Sequence, residues 1–170
     1  LVGVDSVVVV KSGIGDVEEL VLLTPTGEKK ILTLGPYNRT GMLSVSQGKI
    51  VWNEYRFDPR WRVKTFSVIV AYDLKTKLRK QVTAKSRYAS AALSPDGNQI
   101  ATVETGADYQ SNLVILDYET GAVLKTFENA ENDFIAMPRW SKSGKSIVTL
   151  ATNKKGKAIV EFDLESGDRK

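Results

Sequence analysis

The chain has 170 residues, a net charge of +4, 42% hydrophobic and 26% charged residues, which is the balance of one folded globular domain. It has no cysteine and no histidine, so disulfides, the usual zinc centres, and Ser-His-Asp or Cys-His nucleophile systems cannot be built from this chain alone. A hard-cation site of carboxylates and carbonyls survives that exclusion, and the longest apolar run, Val7-Val8-Val9-Val10, is strand length, far below the roughly 20 residues of a membrane-spanning helix.

Taken in chain order, residues 6–11, 19–24 and 28–33 read as three strands, the last two joined by the turn Pro25-Thr26-Gly27. Residues 42–46, 49–55, 66–72 and 78–83 read as four more, with Gln47-Gly48 as the first turn. Residues 90–94, 99–104, 113–116 and 123–127 repeat the pattern. Here Pro95-Asp96-Gly97 supplies a preset φ, a side-chain acceptor and a positive-φ position in succession. The stretch 128–133 is short and polar, a connection with at most one helical turn. Residues 135–140, 146–151 and 157–162 begin a fourth unit, which reaches Lys170 before an outer strand is expected. No helix of ordinary length is expected.

Two landmarks recur in register. Gly48, Gly97 and Gly144 follow the first strand of a unit and are 49 and 47 residues apart. Asp73, Asp117 and Asp163 end its third strand and are 44 and 46 residues apart. A period in the forties with four strands per unit is the signature of a β-propeller. The reading is an all-β partial propeller of about four four-stranded blades, with units at 1–36, 37–86, 87–132 and 133–170 and incomplete blades at both ends. Three strands at each end do not add up to one closing blade, so the chain reads as an arc of a larger propeller; beginning at Leu1 rather than Met and showing no signal peptide, it reads as a processed or excised piece.

Candidate sites follow from charge and residue type. Between Arg56 and Arg87 there are ten basic residues against Asp58 and Asp73. Either this is a solvated strand edge guarded by Lys75, Lys77, Arg79 and Lys80, or it meets an anionic partner. The stretch 54–64 reads as a loop inserted between two strands, and Glu54, Arg56, Asp58, Arg60, Trp61 and Arg62 are its candidate binding residues, beside Tyr55. The structural alternative pairs Arg60 with Glu54 or Asp58 and lays Trp61 over the next blade. Trp52 and Trp140 read as comparable inter-blade core positions. Glu104, Asp108, Glu128, Glu131 and Asp133 lack the spacing of a calcium loop. No cofactor, no metal site and no catalytic constellation is expected, and no DNA-binding motif is present.

The segment Leu93-Ser94-Pro95-Asp96-Gly97-Asn98-Gln99-Ile100-Ala101, with Asn112-Leu113-Val114-Ile115-Leu116-Asp117 after it, resembles the repeat of TolB-like (WD40-like) propellers. Pro138-Arg139-Trp140-Ser141-Lys142-Ser143-Gly144-Lys145-Ser146-Ile147 is a second copy, with Lys142-Ser143 where the family has Pro-Asp. The segment from Trp52 to Trp61 is similar to large bacterial envelope proteins, some carrying a peptidase-like domain. The resemblance implies a periplasmic or cell-envelope setting and a noncatalytic scaffold that binds a protein, peptide or glycan and packs against the remaining blades of its parent. The alternative it implies is an accessory propeller that gates substrate access in a larger peptidase or hydrolase.

Overall fold

Strand side chains alternate between two faces, so a sheet of three or four strands has two apolar surfaces to cover. The computed structural model, which describes residues 5–36, 43–61 and 63–170, meets that demand by stacking sheets face to face. Its strands are β1 (Val7–Lys11), β2 (Glu19–Thr24), β3 (Gly27–Thr33), β4 (Ser44–Ser46), β5 (Lys49–Phe57), β6 (Thr65–Asp73), β7 (Arg79–Gln81), β8 (Tyr88–Leu93), β9 (Gln99–Thr105), β10 (Ser111–Asp117), β11 (Val123–Phe127), β12 (Phe134–Trp140), β13 (Ser146–Asn153) and β14 (Gly156–Asp163). They form four antiparallel meanders, β1-β2-β3, β4-β5-β6-β7, β8-β9-β10-β11 and β12-β13-β14. Each is a propeller blade. No strand of the first blade pairs with the fourth among the described residues, so the structure is a partial, unclosed β-propeller.

The core lies in the three seams between blades. Leu20, Ile50, Trp52, Val68 and Val70 fill the first, Val51, Ile69, Ile100, Leu116 and Tyr118 the second, and Val103, Leu113, Phe127, Ile147 and Phe162 the third. Burial of each such side chain contributes about 1.5–3 kcal/mol. Polar side chains also stitch the seams. Ser46 Oγ and Gln47 Nε2 each donate to the Pro95 carbonyl at 3.0 Å, and Trp140 Nε1 donates to Ala92 O at 3.0 Å.

The inner strands share a backbone device. The register slips between Ala89 and Ala92 in β8 and between Ala136 and Arg139 in β12. At each bulge a non-glycine residue takes a left-handed φ, 63° at Ser90 and 54° at Met137. Thr102 Oγ1 donates to the Ala89 carbonyl at 3.0 Å. Thr149, 47 residues on, has a buried Oγ1 without a partner.

Three expectations are corrected. The strand expected over 49–55 runs to Phe57, because Glu54, Tyr55, Arg56 and Phe57 pair with Val68, Ser67, Phe66 and Thr65. The fourth unit does start its outer strand: Arg169 bridges to Phe162, and Lys170 and Glu161 exchange two backbone bonds of 2.9 Å. Trp52 and Trp140 are not equivalent, since Trp52 is on the second strand of its blade and Trp140 on the first strand of its own. The start of the second unit, 37–42, with the Met42 end of its first strand, lies outside the described residues.

Candidate functional site

A meander places its connections alternately at two ends. The tight turns at 47–48, 94–98 and 141–145, with those between third and fourth strands, lie at one end, here the turn face. The longer loops at 12–18, 58–64 and 106–110, with the blade-to-blade connections at 82–87 and 128–133, lie at the other, the loop face.

Strand alternation splits the candidate residues. In β5, Trp52, Glu54 and Arg56 point toward the first blade, and Asn53 and Tyr55 toward the third. Glu54 is fully buried. Its carboxylate accepts from Trp52 Nε1 at 2.8 Å, Arg56 Nη2 at 2.5 Å and Arg79 Nη2 at 2.6 Å. The Arg79 guanidinium lies 5.8 Å from the Trp52 ring centroid. Gly35 abuts this group, and a Cβ there would stand 3.0 Å from Glu54 Oε2. Glu54 and Arg56 are therefore tied, with Arg79, into one buried ion cluster that joins β5 to β7 within the second blade.

Asp58, Arg60 and Trp61 sit on the loop. Asp58 Oδ1 accepts from the backbone N–H groups of Arg60 at 2.9 Å and Trp61 at 3.3 Å. The Arg60 N–H bond, more than the nearby Lys85 and Lys64 charges, holds its carboxyl below the ordinary aspartate value. Asp58 N to Lys64 O at 2.9 Å and Lys64 N to Trp61 O at 2.8 Å close the loop on itself. With its backbone tied, the loop presents Trp61 64% exposed and Val63 95% exposed, next to Phe57 at 62%. Trp61 does not cover a neighbouring blade. The side chains that pair with Glu54 are Arg56 and Arg79, and Arg60 meets Asp58 through its backbone. Arg62 lies outside the described residues.

Beside this loop, between the second and third blades, is a cleft of about 270 Å³. Tyr55, Phe66, Ser67, Arg87 and Tyr88 are among its walls. Lys85 Nζ stands 5.9 Å from the Phe66 ring centroid, and Arg87 Nη1 donates to Gly106 O at 3.0 Å. Burial, with Glu104 nearby, raises the Tyr88 phenol above its ordinary value. Phe66, Arg87 and Tyr88 were not selected from sequence. The usable signal was the alternation of Trp52 to Phe57, which extends the strand and turns Tyr55 toward the third blade.

Two of the acidic residues around the third unit, Asp133 and Asp108, are engaged in local bonds. Asp133 accepts from Arg169 Nη2 and from Asn153 Nδ2 at 2.9 Å, and the Arg169 bond, ahead of the Asn153 bond, lowers its carboxyl below the ordinary range. Asp108 Oδ1 accepts from Gln110 N at 3.1 Å. Among the described residues no three carboxylates converge as a metal site would need, and no helix is long and apolar enough to cross a membrane.

A model of the family described as the lipoprotein LpqB β-propeller domain matches residues 76–169, more than half of the chain. Among solved structures, TolB from Acinetobacter baumannii superposes with a TM-score of 0.74 at 18% identity, over 98% of this chain and 41% of that one. The putative TolB from Agrobacterium tumefaciens gives 0.74 at 13% identity, over 98% of this chain and 60% of that one. The β-propeller domain of the Trilobed protease from Pyrococcus furiosus gives 0.58 at 16% identity, over 81% and 43%. These are likenesses of fold, and the chain spans less than two thirds of either TolB chain. No curated protein matches the chain significantly.

Proposed function

Because the chain belongs to the lipoprotein LpqB β-propeller domain family, we propose that it is a noncatalytic binding and scaffold module of the bacterial cell envelope, with a protein or peptide partner at its loop face. One observation carries this reading. Phe57 at the end of β5 and Trp61 and Val63 on the loop that follows stand exposed within a few residues of one another, and Asp58 holds the backbone of that loop. Lone exposed apolar residues are ordinary, but several large apolar side chains close in sequence on a hydrogen-bonded loop beside an aromatic cleft are how partner anchors are built. Arg60, Lys64, Lys85 and Arg87 surround it, which favours an acidic partner segment over a basic one.

The test is selection of a random peptide display library on the protein and on its F57A/W61A variant. Enrichment of acidic, apolar peptides that bind the variant at least about tenfold more weakly, with an unchanged unfolding midpoint, supports the reading. Equal binding by the variant, or no enrichment, overturns it. A glycan array run in parallel distinguishes a sugar ligand.

The second reading, an accessory propeller that gates substrate access in a larger peptidase or hydrolase, is favoured by the fold likeness to a protease propeller. It predicts that the parent protein retains hydrolysis when the propeller is removed but loses its size selectivity.

A further inference from the structure

At the turn face the seam between the second and third blades is filled to its end, and the seam between the first and second, packed at its centre, opens into a cleft. In the filled seam, the turn Asp117-Tyr118-Glu119-Thr120-Gly121 of the third blade lies against the outer strand of the second. Tyr118 is 3% exposed. Lys80 and Lys49 stand 4.0 and 4.1 Å from its ring centroid. Lys80 Nζ also pairs with Glu119 Oε2 at 2.6 Å. Gly121, at φ 71°, approaches so closely that a Cβ would lie 2.2 Å from the Val82 carbonyl oxygen.

The same turn in the second blade reads Asp73-Leu74-Lys75-Thr76-Lys77 and faces the outer strand of the first. Leu74 stands where the third blade has its tyrosine, Lys75 where it has glutamate and Lys77 where it has glycine. Lys77 holds the left-handed φ of 60° that Gly121 holds at no steric cost. Lys29 lies opposite Leu22 as Lys80 lies opposite Ala71. The ring, the carboxylate and the close approach are all missing at once, and a cleft of about 290 Å³ stays open. Leu22, Ile31, Tyr72 and Leu74 are its apolar walls, with Lys29 and Lys77 at the rim. Neither lysine has an ion-pair partner among the described residues. The turn's own carboxylate, Asp73, accepts from the N–H groups of Lys75 and Thr76, both at 2.8 Å.

We propose that this open seam is a second binding site, for a peptide segment that places an aromatic side chain next to a carboxylate. The ring would lie on Leu22, Ile31 and Leu74, and the acidic group would meet Lys29 and Lys77. The pairing of Tyr118 and Glu119 with Lys80 shows, within the same molecule, the chemistry that closes such a seam. The site is on the turn face and independent of the Phe57–Trp61 cluster, so either proposal can fail alone.

The probe is the N-acetylated, C-amidated dipeptide Tyr-Glu, titrated against the methyl NMR signals of Leu22 and Ile31. Tyr-Gln and Ala-Glu dipeptides and dodecanoate serve as comparisons. The expected result is saturable shifts with a dissociation constant on the order of 1 mM, and at least about tenfold weaker binding of both comparison dipeptides. The triple variant Leu74→Tyr, Lys75→Glu, Lys77→Gly copies the filled seam. It should bind the dipeptide at least about tenfold more weakly with an unchanged or higher unfolding midpoint, which separates lost binding from lost folding. Absence of shifts, or equal binding by the triple variant, overturns the proposal. Shifts with dodecanoate but not with Tyr-Glu overturn it in favour of a fatty anion.

Discussion

The side-chain carbonyl of Asn53, on the second blade, accepts a 2.8 Å hydrogen bond from the backbone N–H of Ala91, on the inner strand of the third. Its amide nitrogen donates to the Tyr88 carbonyl at 3.2 Å. Ala91 lies in the bulge where β8 slips register, so this N–H has lost its ladder partner, and the neighbouring blade supplies one. Asn53→Leu keeps the volume and removes both bonds. It should lower stability by about 1–3 kcal/mol, the cost of orphaning buried backbone groups. Urea unfolding checks this, as a lower midpoint with an unchanged slope.

Gly121 and Gly97 have nearly the same backbone, φ 71° and 72°, but different neighbours. A Cβ on Gly97 would meet Gln47 Cβ at 3.2 Å, a tight contact that a shift of a few tenths of an ångström relieves. A Cβ on Gly121 would meet the Val82 carbonyl, which cannot step aside without moving β7. Gly97→Ala should cost about 1–2 kcal/mol, chiefly the left-handed penalty. Gly121→Ala should cost at least about 1 kcal/mol more. Thermal unfolding of the two variants side by side measures the difference.

Glu54→Ala leaves Arg56, Arg79 and the Trp52 indole N–H without their shared acceptor. Both arginines reach solvent, with side chains 34% and 44% exposed, so the loss is smaller than for a fully buried pair. The expected cost is about 2 kcal/mol, with Arg56→Ala costing about 1 because Arg79 still holds the carboxylate. Trp61→Ala should change stability by less than about 0.5 kcal/mol. Denaturant midpoints of the three variants test whether Glu54 and Arg56 are structural parts of the second blade while Trp61 is free for a partner.

The turn aspartates Asp73, Asp117 and Asp163 all sit below the ordinary value. The chief causes are the backbone N–H of Thr76, the Thr120 hydroxyl and the backbone N–H of Ser166 respectively. A lowered folded-state value means a contribution fully present above the unfolded value, about 3.9, and lost as pH falls through the folded one. Stability should therefore drop below about pH 4. Asp117→Asn should flatten that acid limb, read from unfolding midpoints across pH.

At the alkaline end, burial, then Glu119 and Asp73, push the Tyr118 phenol up to about 12. An unfolded tyrosine titrates near 10, so the neutral-ring contribution is complete below about pH 10 and lost as pH rises through the folded value. Phenolate absorbance should show a component titrating near 12, and Tyr118→Phe should remove it.

What the chain by itself determined is its local grammar. Alternating apolar residues, recurring Gly48, Gly97 and Gly144, and recurring Asp73, Asp117 and Asp163 specify strands, turns and their order, because those features act over a few neighbouring residues. The absence of histidine and cysteine narrowed the chemistry in the same direct way. Tertiary structure decided the rest. Residues 54–57 are strand because 65–68 pair with them, and Glu54 is structural because Arg79 reaches it from β7, 25 residues on. Likewise, the replacement of Gly121's counterpart by Lys77 looks minor along the chain. It leaves a seam open only because the neighbouring blade stands at a distance that a glycine would have let the turn close.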